Sequence, residues 1–443
     1  MNNYSQSDRD RGARNRFKTA PFNYQRSTRL TLANLQVGSE VDGAWIIFNV
    51  GDYVHISPYN ATHKDPYKSI QFTSPVRTGY PTCHAYLSAR DGVDLLVGLG
   101  DGTVMLLSLR VQLSTGSKPA PVPVATLTPE GVSETTRVTA VAWVPRSDAG
   151  LFVAAYSSGN IYVYKKAGAG RGRPGETHLT GEGSGKFSLS LGSRDKAQAP
   201  SSTIQISGGG INDVAVSPDG RQLAAACRDG ALRLLDLATG TVQCGFSSYY
   251  GALLCAAFSP DGKYVATGGE DDLVAVAGTE PGSGSRTSLT EQLAPATRIY
   301  RLGSAGQDCQ LCLWDVQAPG EGDINSGAAL LAQMSIAGGG GMKRNGSMGM
   351  LGGSNPRMSV GGLEAGSGHG GHDRKASLGK STGICPSLPR LDMAIVQPIM
   401  EHKLHAEPMS DLLFTEGAIF TADHSGNIRT WARPQQDGGS SSD

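Results

Sequence analysis

Residues 217–235 read "SPDGRQLAAACRDGALRLL", and residues 259–277 read "SPDGKYVATGGEDDLVAVA", 42 positions further on. Each begins with a turn: Pro presets φ at the second position, and Gly at the fourth accepts φ > 0. Each continues as a short apolar strand, a polar pair (Asp229-Gly230, Asp271-Asp272) and a second alternating run. A period near 40 residues, with short strands and turn signals, is the signature of a β-propeller blade.

The polar-pair device recurs as "GDGTVMLL" at Asp101, "SSGNIYVY" at Ser158, "QDCQLCLW" at Asp308 and "HSGNIRTW" at Ser425. Six residues after these six turn residues stand Leu107, Tyr164, Leu235, Ala277, Trp314 and Trp431. Period-two alternation puts those positions on one sheet face, buried between neighbouring blades. Ala277 is the small exception. A weaker seventh match lies at 44–57, "AWIIFNVGDYVHIS". The expected fold is therefore all-β: a seven-bladed β-propeller of four-stranded blades spanning 25–434. "TRLTL" (28–32) is expected to close the ring against the C-terminal blade. A ring leaves few edges to defend.

Three intervals break the repeat: 166–203, 278–297 and 318–391, with Gly- and Ser-rich stretches such as "AGGGGMKRNGSMGMLGGSNPRMSVGG". They are expected as flexible insertions, since such composition buries too little surface to offset ordering entropy. Residues 1–24 and 435–443 are expected as disordered tails. The interval after Ala277 is peculiar, because a blade's last strand and the next blade's first strand should fall there. No strand-like run appears until "IYRLGSAGQ".

Charge is balanced, 39 basic against 39 acidic residues, so composition does not argue for nucleic acid. No apolar run reaches the length of a membrane span, so no membrane is expected. Seven unpaired-looking cysteines suit a reducing compartment, cytoplasmic or nuclear. No cofactor or metal is expected. Cys309 and Cys312 form a C-x-x-C without a second pair and read as strand cysteines of the core. His369 and His372 lie in a Gly-rich loop, and "GEGSGKFS" lacks the first glycine and the hydroxyl of a phosphate loop. Ser347, Ser359 and Ser377 follow basic residues and are candidate phosphosites.

What remains is surface. The polar turns and the segments leading into each first strand share one face of a propeller. "SSYYGALL" (247–254) is such a lead-in, and Tyr249 and Tyr250 on a rigid rim suit a binding hot spot. Glu270 and Asp272 are expected beside them facing solvent, with Asp271 as the structural turn residue.

The strings "FNVG", "RVTAVAWVP", "SSGNIYVY", "SPDGKYVATGGEDDLV", "GSAGQDCQLCLWD" and "TWARP" resemble a family of WD-repeat proteins. Its members include WD repeat-containing protein 20, the dystrophia myotonica WD-repeat protein and the fungal catabolite-repression protein CreC. The resemblance covers most of 44–316 and 392–434. It implies a non-catalytic scaffold that binds a ubiquitin-specific protease and, with a second WD-repeat protein, raises its activity or stabilises it. The family's rim aromatic in "SYFGG" matches Tyr250, with Tyr249 and Gly251 beside it. The family's Trp after "GGEDDLVTVW" is Ala277 here, and that departure removes part of the expected partner surface. Two other classes stand against this reading. One is a substrate receptor of a cullin-type ubiquitin ligase, which needs a docking element outside the ring. The other is an enzyme with a site in the central channel, which needs convergent acid, base or nucleophile groups.

Overall fold

The computed structural model describes residues 27–36, 40–61, 65–73, 79–116, 120–129, 136–166, 188–191, 200–279, 299–317, 332–335, 384–385 and 394–433. A second unit, 337–382, lies wholly outside them, as do both tails and Ser347, Ser359, Ser377, His369 and His372.

The described strands form seven sheets, one per blade. Blade one holds β1 (Leu30–Leu35), β2 (Gly43–Val50), β3 (Tyr53–Pro58) and β4 (Lys68–Gln71). Blade two holds β5 (Pro81–Tyr86), β6 (Leu95–Leu99), β7 (Val104–Leu107) and β8 (Pro123–Leu127), with a short helix α1 (Leu109–Ser114) between the last two. Blade three has β9 (Val138–Trp143), β10 (Leu151–Tyr156), β11 (Asn160–Lys165), β12 (Ser188–Leu191) and β13 (Ser202–Gln205). Blade four has β14 (Ile211–Val216), β15 (Gln222–Cys227), β16 (Ala231–Asp236) and β17 (Val242–Ser247). Blade five has β18 (Leu253–Phe258), β19 (Tyr264–Gly269) and β20 (Leu273–Gly278). Blade six starts with β21 (Ile299–Ala305) and β22 (Gln310–Gln317).

The chain then returns outward. β23 (Ala332–Ser335) pairs on β20 as blade five's outer strand, β24 (Ile384–Cys385) runs parallel to β17, and β25 (Ala394–Ile395) runs parallel to β23. β26 (Met400–Lys403) is the outer strand of blade six, paired with β22. Blade seven is β27 (Met409–Phe414), β28 (Ala418–Asp423) and β29 (Ile428–Ala432). The innermost strands touch in turn: β1 with β5, β5 with β9, β9 with β14, β14 with β18, β21 with β27, and β27 with β1.

Three expectations are corrected. Not every blade has four strands: blades six and seven have three each among the described residues. The "TRLTL" strand pairs with β2 as blade one's inner strand, Leu30 opposite Phe48, and not with the last blade. The ring ends meet through polar clamps instead: Leu30 N donates to Asp411 Oδ2 (2.7 Å), and Ser410 Oγ donates to the Thr28 carbonyl (2.9 Å). Thirdly, strands β12, β13, β23 and β24 fall wholly or partly inside the intervals expected as loops.

Seven apolar clusters cement the junctions between blades. Leu107 is buried between blades one and two, Tyr164 between two and three, and Leu235 between three and four. Ala277 lies between four and five and Trp314 between five and six, while Trp431 is half-buried between six and seven. Each core position thus faces the preceding blade. Ala277 is 4% exposed, and Phe246 and Phe258 in the same cluster supply the bulk its side chain lacks.

The "SPDG" turns link the first and second strands of blades four and five. Gly220 N donates to the Ser217 carbonyl and Gly262 N to that of Ser259, both at 2.9 Å, with φ of +76° and +75° at the glycines. Cys312 is buried in β22, but Cys309 sits in the β21–β22 turn at φ +69°, not in a strand. Among the described residues no helix is long and apolar enough to cross a membrane.

Candidate partner-binding rim

The turn between the second and third strand of a blade and the segment leading into its first strand meet on one face. The residue before the turn residue donates its N–H to that segment: Gly100 to the Tyr80 carbonyl, Ser157 to Arg137, Arg228 to Gly210, Glu270 to Ala252 and His424 to Pro408. The turn carboxylates tie their own loops. Asp101, Asp229, Asp271 and Asp308 each accept at Oδ1 from the N–H two residues on, at 3.0–3.3 Å. This is the Asx-turn geometry that favours Asp over bulkier residues.

Ser158 and Ser425 occupy the same turn positions before Gly159 (φ +90°) and Gly426 (φ +85°). In blade seven, however, the carboxylate belongs to Asp423, which accepts from Ser425 N and Asn427 N, both at 2.9 Å. Its Oδ2 pairs with His405 Nδ1 (3.1 Å), His405 Nε2 meets Thr421 Oγ1 (2.8 Å), and Trp431 Nε1 donates to Thr421 Oγ1 (3.2 Å). Burial alone would raise Asp423, but the hydrogen bonds from His405 and Asn427 hold its carboxyl below the usual range. Thr421, His405 and Asp423 have the order of nucleophile, base and orienting acid. Thr421 has no exposure, however, and the other two are also buried. The network pins the lead-in segment to its blade. Sequence reading missed it, because the pairing of His405 with an Asp eighteen residues away becomes visible only once both are placed on one blade.

The lead-in to blade five carries the candidate anchors. Tyr249 is half-buried, and its N–H donates to Asp271 Oδ2 at 3.1 Å. Ala252 N donates to Glu270 Oε2 at 2.9 Å, and Ser248 Oγ donates to the Gly251 carbonyl at 3.0 Å. Gly251 stands at φ +71°, where a Cβ would lie 2.8 Å from the Glu270 side chain. The preceding blade's turn closes from the other side: Ser248 N donates to the Gly230 carbonyl at 2.7 Å. Blade four's own turn is clamped by Arg233, which is buried and holds both Asp229 oxygens at 2.9 and 2.7 Å.

With its backbone fixed on three sides, the loop displays Tyr250 at 62% exposure, the largest value among the exposed large apolar side chains of the described residues. Glu270 and Asp272 are exposed beside it; Asp272 takes φ +57° as the turn demands. Asp271 is buried, as its turn role requires. Tyr249, Tyr250, Gly251, Glu270 and Asp272 therefore share one loop-and-turn surface, with Tyr250 as its projecting member. Such an arrangement can dock a surface; no acid, base and nucleophile converge there.

Comparison with known proteins places this geometry. The family described as WD domain, G-beta repeat matches residues 199–236 and 241–276, the two blades that flank the rim. The chain is 25% identical to mouse (Mus musculus) WD repeat-containing protein 20, over 94% of this chain and 92% of that one. It is 26% identical over 380 residues to the UBP9-binding protein bun62 of Schizosaccharomyces pombe (strain 972 / ATCC 24843). That match takes in 80% of this chain and 64% of the length of the yeast protein. A chain in the crystal structure of the mitotic checkpoint complex aligns with a TM-score of 0.52 at 13% identity, over 93% of this chain and 88% of that one, a likeness of fold alone. The chain thus holds two matched WD repeats within a seven-bladed β-propeller, and the resemblance to WD repeat-containing protein 20 is borne out.

Proposed function

We propose that this propeller is a non-catalytic scaffold that binds a ubiquitin-specific protease through the rim around Tyr250 and so stabilises or activates it. The observation that carries the reading is the rim itself. It is a preorganised loop presenting one exposed tyrosine flanked by two carboxylates, in a chain similar to a protein named for binding UBP9. Aromatic anchors on rigid supports bind at low entropic cost, and polar neighbours set orientation. A second WD-repeat protein as co-partner and a cytoplasmic or nuclear location go with this reading. So does the role of Glu270 and Asp272 as polar contacts around the tyrosine.

The test is affinity capture by the full chain from its own cell extract, with bound proteins identified by mass spectrometry. A ubiquitin-specific protease recovered by the wild-type chain and lost with Tyr250→Ala supports the proposal. Cullin or adaptor subunits without a deubiquitinase would replace it with the ligase-receptor reading. Equal capture by both chains would move the site away from Tyr250.

A further inference from the structure

Among the described residues, blade six has no strand inside β21 on the channel side. In each of the other blades a described inner strand lies against the next strand; in blade six the first described strand is β21. Gly306 N donates to the Gln310 carbonyl, which fixes the register of the β21–β22 pair. Tyr300, Leu302 and Ser304 then bond to β22, while Arg301, Gly303 and Ala305 turn their N–H and C=O groups to the opposite edge. No described strand covers that edge. Its surroundings are open. Cys255 on β18 is exposed, whereas Cys83 at the matching place on β5 is 6% exposed. Ile299 and Phe414 are 58% and 41% exposed.

A second observation points to the same gap. Ser304 Oγ and Trp314 Nε1 are buried without a hydrogen-bond partner. Their counterparts in blade seven are Thr421 and Trp431, joined to each other and served by His405 from the segment leading into that blade's inner strand. Among the described residues blade six thus has neither an inner strand nor a counterpart of His405. Buried polar atoms without partners are uncommon and ask for one. The channel around Cys255 also carries ionisable groups, Asp213, Asp411 and Arg29. Asp213 and Asp411 share the single guanidinium of Arg29, and burial pushes both carboxyls up, with Arg29 only partly offsetting it. The joining residues 280–298, "EPGSGSRTSLTEQLAPATR", contain no histidine to take the part of His405.

We propose that a partner protein completes blade six by strand addition, its extended segment pairing with the edge of β21 that no described strand covers. The segment presents a basic side chain to Asp213 and Asp411 and, from the stretch before the strand, a hydrogen-bonding side chain to Ser304 and Trp314. Open sheet edges are the usual template for such augmentation.

The probe is a blocked ten-residue peptide: histidine, three glycine or serine spacers, then six residues alternating valine with lysine. Its control carries glutamate for lysine. Binding to the full chain is read by fluorescence anisotropy, by amide exchange at Arg301, Gly303 and Ala305, and by alkylation of Cys255. The expected result is binding of the lysine peptide at least about tenfold tighter than the control, slowed exchange at those three amides, and protection of Cys255. Asp213→Asn should reduce the preference for lysine while exchange protection persists. Arg301→Pro, at an exposed position on the same edge, removes an edge N–H without breaking a β22 bond and should abolish binding. Slow exchange at the three amides in the unliganded chain would overturn the proposal in favour of the chain filling its own gap. Protection that rises with protein concentration would assign the gap to a second copy. No protection by either peptide would also overturn it.

Discussion

Gly251 and Tyr250 divide the work of the rim between two neighbouring residues. Gly251 takes the φ of +71° that lets the loop turn under Glu270, and Tyr250 is thereby pushed into solvent. Gly251→Ala is expected to cost about 1–2 kcal/mol, the usual penalty for an L-residue in the left-handed region. It should also displace the Glu270 carboxylate from Ala252 N; thermal unfolding and partner binding should both register the change. A different residue contributes one component of the protein's pH response. Asp94 is 3% exposed, and burial pushes its carboxyl up to about 6, the hydrogen bond from Leu109 N offsetting this only in part. The folded form therefore binds the proton more tightly than the unfolded form does. The stability this gives is complete below about pH 4 and is lost as pH rises through about 6. Asp94→Asn should match the wild-type chain at pH 4 and exceed it at pH 7 by about 2–3 kcal/mol, as read by urea unfolding at both pH values.

At the scale of strands and turns, accessibility separates two chemically matched cysteines. Cys83 and Cys255 stand at matching places on β5 and β18, opposite Gly98 and Gly268, so strand position does not distinguish them. Exposure does, and iodoacetamide at pH 9 should modify Cys255 in the native chain and Cys83 only after unfolding. The blades were legible because their local chemistry is sufficient. "SPDG" needs only its own four residues to turn, and Asp101, Asp229, Asp271 and Asp308 need only the amide two positions on. Alternation then placed Leu107, Tyr164, Leu235 and Trp314 in the junctions. What was not legible depends on distant pairing. The alternation of "TRLTL" is the same whether it lies against β2 or the last blade, so its partner could not be read. The Asp423 network was hidden because Ser425, not Asp423, fits the local turn frame. The rim was half legible: Tyr249 and Tyr250 look alike in sequence, and only the bond from Tyr249 N to Asp271 tells the inward one from the outward one.

At the scale of the molecule, a propeller must join its first blade to its last. Here the inner strand of blade one meets blade seven through Asp411 and Ser410, and Arg29 lies in the field of carboxylates from blades four and seven. Asp411→Ala would leave Leu30 N and Arg29 without that carboxylate. A loss of about 1–3 kcal/mol is expected, with faster amide exchange in β1 than in β10. That would locate the closure in the channel. The seven apolar junctions hold the loops of one face in fixed relation, which is what lets a single loop such as 248–252 act as a preformed anchor.

The most direct test is the affinity of the purified full chain for a ubiquitin-specific protease of the same organism, measured beside Tyr250→Ala by calorimetry. The account predicts saturable binding by the wild-type chain. It predicts a loss of about 30-fold in the variant, the scale of an aromatic hot spot, with an unchanged melting temperature. Absence of binding by the wild-type chain, or equal affinity in the two, would contradict it.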